Sequence, residues 1–178
     1  KYSTYLEIGC DQDENFSKID LKEKIGVDPK SGGTHRMTSD TFFKSNKKKF
    51  DFIYVDGLHT YEQAIKDIKN ALVFLNENGI ILLHDCLPKK IWNQIVPRIY
   101  GHWNGDVWKA IVETRTWNHV DTVTIIADHG LGLIKKNKNS NILMDKIKNF
   151  KKLKYKDYYT KHQKYMNPIN FEDLHKVI

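Results

Sequence analysis

Four short apolar runs, each delivering the chain into a turn that carries a carboxylate, constrain this sequence more than any other feature. Tyr5 to Ile8 leads into Gly9 and Asp11, Lys24 to Val27 into Asp28-Pro29, Phe50 to Val55 into Asp56-Gly57, and Gly79 to Leu83 into His84-Asp85. Runs this short and this continuously apolar read as strands covered on both faces, the pattern of a parallel sheet. The second must stop at Pro29, which cannot donate to a ladder. Ile65, Ile68, Leu72 and Leu75 recur every three or four positions, which predicts a helix over Tyr61 to Leu75 ended by Asn78-Gly79. Roughly one helix fits between the first two strands, and a short one over Asp40 to Phe43, capped by Ser39 or Asp40, precedes the third.

Beyond Asp85 the pattern loosens. Lys90 to Ile99 and Asp106 to Glu113 are spaced as helices around a loop at Gly101 to Gly105. Val120 to Ala127 and Leu131 to Lys135 predict an antiparallel hairpin turning at Asp128-His129-Gly130. Ile142 to Phe150 has one apolar side and predicts a last helix, whereas Lys151 to Ile178 shows no period. With 178 residues the chain is expected to be a single domain, residues 136–178 forming a basic C-terminal helix and tail, and a native N-terminal region is expected to precede residue 1.

Charge excludes one class of function. The net charge is +7, yet eleven lysines against Asp145 and Asp157 place +9 between Lys135 and Lys164 and leave −2 elsewhere. Three arginines, Arg36, Arg98 and Arg115, are few for a reader of phosphates or base edges, so no specific nucleic-acid partner is expected. No apolar run approaches the roughly 20 residues of a membrane span. Cys10 and Cys86 form no disulfide pattern, which fits a reducing, cytoplasmic setting.

In an open parallel sheet, ligands bind outside the carboxyl ends of the strands. All four ends here carry an acid, which packing does not require. His102 to Lys109 adds polar and tryptophan side chains suited to lining a pocket, with Asp106 and Lys109 favoured as a helix-surface pair and Trp92 and Trp117 as core. No Gly-x-Ser-x-Gly elbow, phosphate loop or His-Glu-x-x-His is present, and the cysteines lack zinc spacing.

Glu7-x-Gly9, Gly26-Val27-Asp28-Pro29, Asp56-Gly57-x-His59-x-Tyr61-Glu62, Asp67 and Gly79-Ile-Ile-Leu-Leu-His84-Asp85 together resemble the class I S-adenosylmethionine-dependent methyltransferases. The similarity runs from Tyr5 to about Lys135 and is nearest to the subgroup acting on sugars and other small hydroxylated metabolites. It implies a Rossmann-like α/β fold, a doubly wound, mostly parallel seven-stranded sheet with an antiparallel C-terminal hairpin. It implies O-methyl transfer from S-adenosyl-L-methionine to a hydroxyl, with Glu7, Gly9 and Asp11 at the methionine part, Asp28 at the ribose, Ser39 and Asp40 near the adenine, and Asp56 beside them. A homo-oligomer is consistent with it.

By the same resemblance, Asp56 and Asp85 would hold a divalent ion such as Mg2+, with His59 and His84 close by. In a metal-free version His59 or His84 would be general base, beside Asp85. Two departures stand out. Relatives carry a further glycine near position 12 or 13, where this chain reads Asp11-Gln12-Asp13, and metal-dependent ones present two acids where it has His84-Asp85. The competing reading is a catalytically silent binding or scaffold domain whose basic tail contacts an anionic surface.

Overall fold

The computed structural model describes residues 2–178 and places the four apolar runs side by side. β1 (Thr4–Ile8), β2 (Glu23–Val27), β3 (Phe50–Val55) and β4 (Leu75–Leu83) pair in parallel in the order β2-β1-β3-β4. β6 (Leu131–Lys135) pairs antiparallel with both β4 and β5 (Asp121–Ile126), which forms the predicted hairpin. β7 (Pro168–Asn170) runs parallel to β5 and closes that edge. The mostly parallel seven-stranded sheet is therefore present, with its seventh strand drawn from the stretch without a legible period.

Strand alternation sorts the core into two faces. Leu6, Ile8, Ile53, Val55, Ile81 and Leu83 point to one side. There they meet all five helices: α1 (Ser39–Ser45), α2 (Tyr61–Phe74), α3 (Trp108–Thr114), α4 (Tyr155–Thr160) and α5 (His162–Met166). α2 lays down Ala64, Ile65, Ile68 and Ala71, the spacing visible in the sequence; a fully buried isoleucine such as Ile68 contributes about 2 kcal/mol. On the other face, Tyr5, Tyr54, Ile80 and Val123 are covered by Phe16 of a 3-10 turn (Phe16–Lys18) and Leu174 of another (Phe171–Lys176).

Several predicted helices do not form, each for a visible reason. Between β1 and β2 only the turn at Phe16–Lys18 appears, because Asp11 and Asp13 adopt left-handed backbone that no helix tolerates. α2 ends at Phe74 and runs directly into β4, and Asn78-Gly79 instead absorbs a register slip between β3 and β4. A Cβ at Gly79 would stand 2.9 Å from the Asp51 carbonyl oxygen. α1 is capped by Thr38, whose hydroxyl accepts from Thr41 N, rather than by Ser39 or Asp40. Lys90 to Ile99 makes only a 3-10 turn (Ile91–Gln94), since Pro97 removes a donor and disfavours helical backbone before it.

Ile142 to Phe150 is not helical either. It runs past the end of α3, where Leu143 N donates to the Arg115 carbonyl and the buried Arg115 guanidinium donates to the carbonyls of Asn141 and Lys164. The lysine-rich region is thus folded and not a loose tail. Tyr158, Tyr165 and Met166 enter the core while most of its lysines face solvent. Trp117 is partly buried against the core as expected, but Trp92 is exposed. No helix among the described residues is long and apolar enough to cross a membrane.

Candidate active site

The loops after β1 and β3 meet at Gly9. Its φ is +87°, and a Cβ there would stand 2.1 Å from the Asp56 carbonyl oxygen, so the close approach requires glycine. Gly32 and Gly33, both left-handed, pack a second loop against the first, where a Cβ at Gly32 would stand 2.5 Å from the Asp11 carbonyl oxygen. Asp13 Oδ1 accepts from Gly33 N at 2.7 Å.

Asp28, at the end of β2, is nearly buried and fully engaged. Its Oδ2 accepts from Cys10 N (3.1 Å) and Asp11 N (3.2 Å), its Oδ1 from Lys30 N (2.7 Å) and Ser31 N (2.9 Å). Burial opposes its charge, but these four N–H groups win and hold the carboxyl below its usual range. Asp11 is exposed beside it, with Ser31 Oγ 3.4 Å from Asp11 Oδ1.

Glu7, two residues before Gly9 in β1, feels the charges of Asp56 and Asp13. It is buried on the opposite face of the sheet, accepts from the Tyr5 hydroxyl, and has its carboxyl pushed up by burial. Ser39 and Asp40 start α1 and are joined to α2 through Gln63, whose amide donates to Ser39 Oγ (3.3 Å), Asp40 Oδ1 (3.3 Å) and Asp67 Oδ1 (3.1 Å). Lys66 pairs with Asp40 and lowers its pKa.

At the ends of β3 and β4 the structure brings Asp56, His59, His84 and Asp85 together. Asp56 Oδ1 accepts from His59 Nε2 at 3.1 Å and from His84 Nδ1 at 3.2 Å. His59 Nδ1 lies 3.0 Å from the Trp103 carbonyl and 3.2 Å from Asp85 Oδ2. Both nitrogens of His59 therefore face acceptors, which suits the doubly protonated ring. Its pKa is raised accordingly, against burial.

Burial likewise opposes charge on His84, yet the Asp56 hydrogen bond and the surrounding carboxylates push it up to about 9. The same two imidazoles bring Asp56 down to about 2 despite its burial. His84 Nε2 is buried and makes no hydrogen bond; Asp128 Oδ2 stands 3.4 Å away. Asp85, 3% exposed and at φ +59°, has its pKa raised by burial more than the histidines lower it.

Sequence reasoning missed the group that fixes Asp85. Asn104, itself buried, donates to Asp85 Oδ1 at 2.8 Å. It lies in the polar stretch noted above, but nothing in its spacing marks this role. His102 stacks on His129 with centroids 3.8 Å apart and approaches Asp85 Oδ1 at 3.7 Å. Trp103 stacks on His59, whereas Trp108 is fully buried in the core. Asp106 and Lys109 are a buried pair at 2.9 Å, not a surface one, and Asp106 Oδ1 also caps α2 by accepting from Tyr61 N. A narrow cleft between Asp56, Gly57, His59, Asp67 and His84 has room for about one water molecule.

The strand order, the single reversed strand β6 and a polar cluster outside the carboxyl ends of the parallel strands define a Rossmann-like methyltransferase fold. Residues 9–86 match a family model described as a methyltransferase domain, a segment that begins at Gly9 and holds Asp28, Asp56, His59, His84 and Asp85. Among solved structures, the chain is similar to the SAH-bound methyltransferase PaMTH1 of Podospora anserina, with a TM-score of 0.58 and 17% identity over 77% of this chain and 73% of that one. None of the curated proteins matches. The matched segment covers less than half of the chain, and together with the fold it marks a similarity to methyltransferase domains.

Proposed function

We propose that the protein is an S-adenosylmethionine-dependent methyltransferase that methylates a hydroxyl of a sugar or similar small polyhydroxylated metabolite, with His84 as the base. The observation that carries this reading is the Asp56–His84 pair. Asp56 holds His84 Nδ1 and so directs the lone pair of the neutral ring to Nε2, the one nitrogen of the cluster without a hydrogen bond. S-adenosylmethionine would supply the methyl group to the acceptor oxygen and leave as the neutral thioether. His84 Nε2 takes the hydroxyl proton as the oxygen attacks, and Asp56 stabilises the imidazolium that results.

His59 bridges Asp56 and Asp85 and keeps the two carboxylates apart, while Asn104 orients Asp85 toward an acceptor hydroxyl. Gly9, Asp11 and Asp28 would bind the cofactor along the first two loops, and Ser39 and Asp40 would border its adenine. Calorimetric titration with S-adenosylmethionine and S-adenosylhomocysteine, followed by a turnover screen over hydroxylated sugars, tests the reading. Absence of cofactor binding would sink it.

A second reading is favoured by one observation: donor atoms of Asp56, His59 and Asp85 all lie within 4.8 Å of one another. Two carboxylates and an imidazole suit a divalent ion that accepts nitrogen, such as Mn2+ or Zn2+; Mg2+, which prefers an all-oxygen shell, is the poorer match. Such an ion would lower the pKa of the acceptor hydroxyl. Turnover that survives rigorous chelation supports the imidazole route. Turnover lost on chelation, restored by Mn2+ and not restored in Asp85→Ala supports the metal.

A further inference from the structure

The loop joining β4 to α3 is closed on itself. The Asn93 carbonyl accepts from Asn104 N (2.8 Å) and Gly105 N (3.0 Å), its side chain donates to the His102 carbonyl (2.8 Å), and Trp103 Nε1 donates to the Ile95 carbonyl (2.7 Å). The base of the loop belongs to the candidate active site, through Trp103 against His59 and Asn104 against Asp85. Its outer part has the opposite character. Ile91, Trp92, Val96, Ile99 and Tyr100 are 53, 38, 44, 61 and 61% exposed, on a loop whose backbone is otherwise held in place. Leu58, next to His59, is 61% exposed as well.

The charges on this loop have one sign. Lys89, Lys90 and Arg98 are exposed, and between Cys86 and Gly105 there is no Asp or Glu. Lys90 Nζ lies 5.1 Å over the Trp92 ring, so cation and indole occupy the same patch. Exposed aliphatic side chains, a tryptophan, a tyrosine and unopposed cations are the chemistry of the headgroup zone of an anionic bilayer: aliphatics enter the acyl boundary, rings sit at headgroup level, and cations meet lipid phosphates. The patch is a poor match for its own copy, because a two-fold contact would bring these cations together without an acid between them.

We infer that residues 87–101 dock the protein on an anionic phospholipid surface, with the mouth of the active site held beside the lipid headgroups. Docking is measured without turnover, and only the cofactor-affinity control below rests on the methyl-transfer reading. The test is co-sedimentation of the full chain with vesicles of phosphatidylcholine alone and with about 30% phosphatidylserine, at low salt and at about 0.5 M salt. The expected result is binding to the anionic vesicles at least about tenfold tighter than to the neutral ones, weakened by salt.

The variant Ile99→Glu with Tyr100→Glu should lose that binding by a similar factor while its melting temperature and S-adenosylhomocysteine affinity are unchanged, since both side chains are exposed. Equal partition of the native chain onto both vesicle types, or undiminished binding by the variant, overturns the inference. So does a dimer in sedimentation velocity that the variant breaks while no vesicle binding is seen; that result assigns the patch to a second copy.

Discussion

In the proposed reading, Asp28 serves both the fold and the cofactor. Four backbone N–H groups converge on its carboxylate, so a ribose can reach it only if some of those amides turn away. Asp28→Asn puts an N–H donor where two amides seek an acceptor. It is expected to weaken S-adenosylmethionine binding at least about tenfold and to cost about 1–3 kcal/mol of stability, read by calorimetric titration and thermal melting. Cofactor affinity equal to the native value would remove Asp28 from the binding site.

As the proposed base, His84 would link pH to both turnover and stability. With its pKa at about 9, on the order of one ring in a hundred is neutral at pH 7, so turnover at saturating substrate should rise between pH 7 and 9. His84→Gln should flatten that profile and lower turnover about 10²-fold or more. Stability moves the other way. The folded pKa is raised, so the ion pair stabilises fully below the ordinary value of 6.5 and that contribution fades as pH rises through about 9. The native melting temperature should therefore fall between pH 7 and 9.5, and that of His84→Gln should fall less.

Asp67 has the same sign for a different reason. Burial pushes its carboxyl up to about 6, so its contribution is complete below about pH 4 and is lost as pH rises through 6. At pH 7 it is an ionised group in the core, at a cost of about 2–3 kcal/mol. Asp67→Asn keeps the oxygen that accepts from Gln63, and should raise the melting temperature at pH 7 but not at pH 4.

Among elements, the strands and the polar cluster at their ends were legible, and the connections mostly were not. Continuous apolar runs such as Phe50 to Val55 announce buried strands whatever surrounds them, and Asp56, His59, His84 and Asp85 follow from where those runs stop. Asn104 and Asn93 were not legible, because their roles depend on a loop fold that long-range hydrogen bonds create. Strand alternation, not closeness in sequence to Gly9, puts the Glu7 side chain on the face of Tyr5. The spacing over Ile142 to Phe150 suggested a helix, but Leu143 N donates to the Arg115 carbonyl and the Arg115 guanidinium to the Asn141 carbonyl, which ties the start of this segment to the end of α3 instead. α5 then follows where no period was visible, and it holds a core residue. Met166→Ala is expected to cost about 2–5 kcal/mol in chemical denaturation, whereas a dispensable tail would lose nothing.

Over the whole molecule, the basic surplus and the polar site occupy different places for a structural reason. Lysines of residues 135–164 decorate the outside of a segment that buries Tyr158 against Trp108 of α3, so +7 describes a covering layer. The acids of the remaining −2 include those gathered at the strand ends. Their mutual repulsion is moderated by His59 and His84 and not by any lysine, which ties the charge state of the centre to pH rather than to the basic exterior.

The position of β7 bears on how the chain is made. Synthesis delivers β5 and β6 roughly thirty residues before Pro168 to Asn170, and until those arrive the outer edge of β5 offers unpaired backbone to any neighbouring strand. A polypeptide halted after Lys152 would also leave uncovered the part of the core filled by Tyr158, Tyr165 and Met166, and should accumulate as aggregate rather than as a smaller folded protein. Ribosome-bound intermediates of this length are accordingly the ones that chaperones should be found holding.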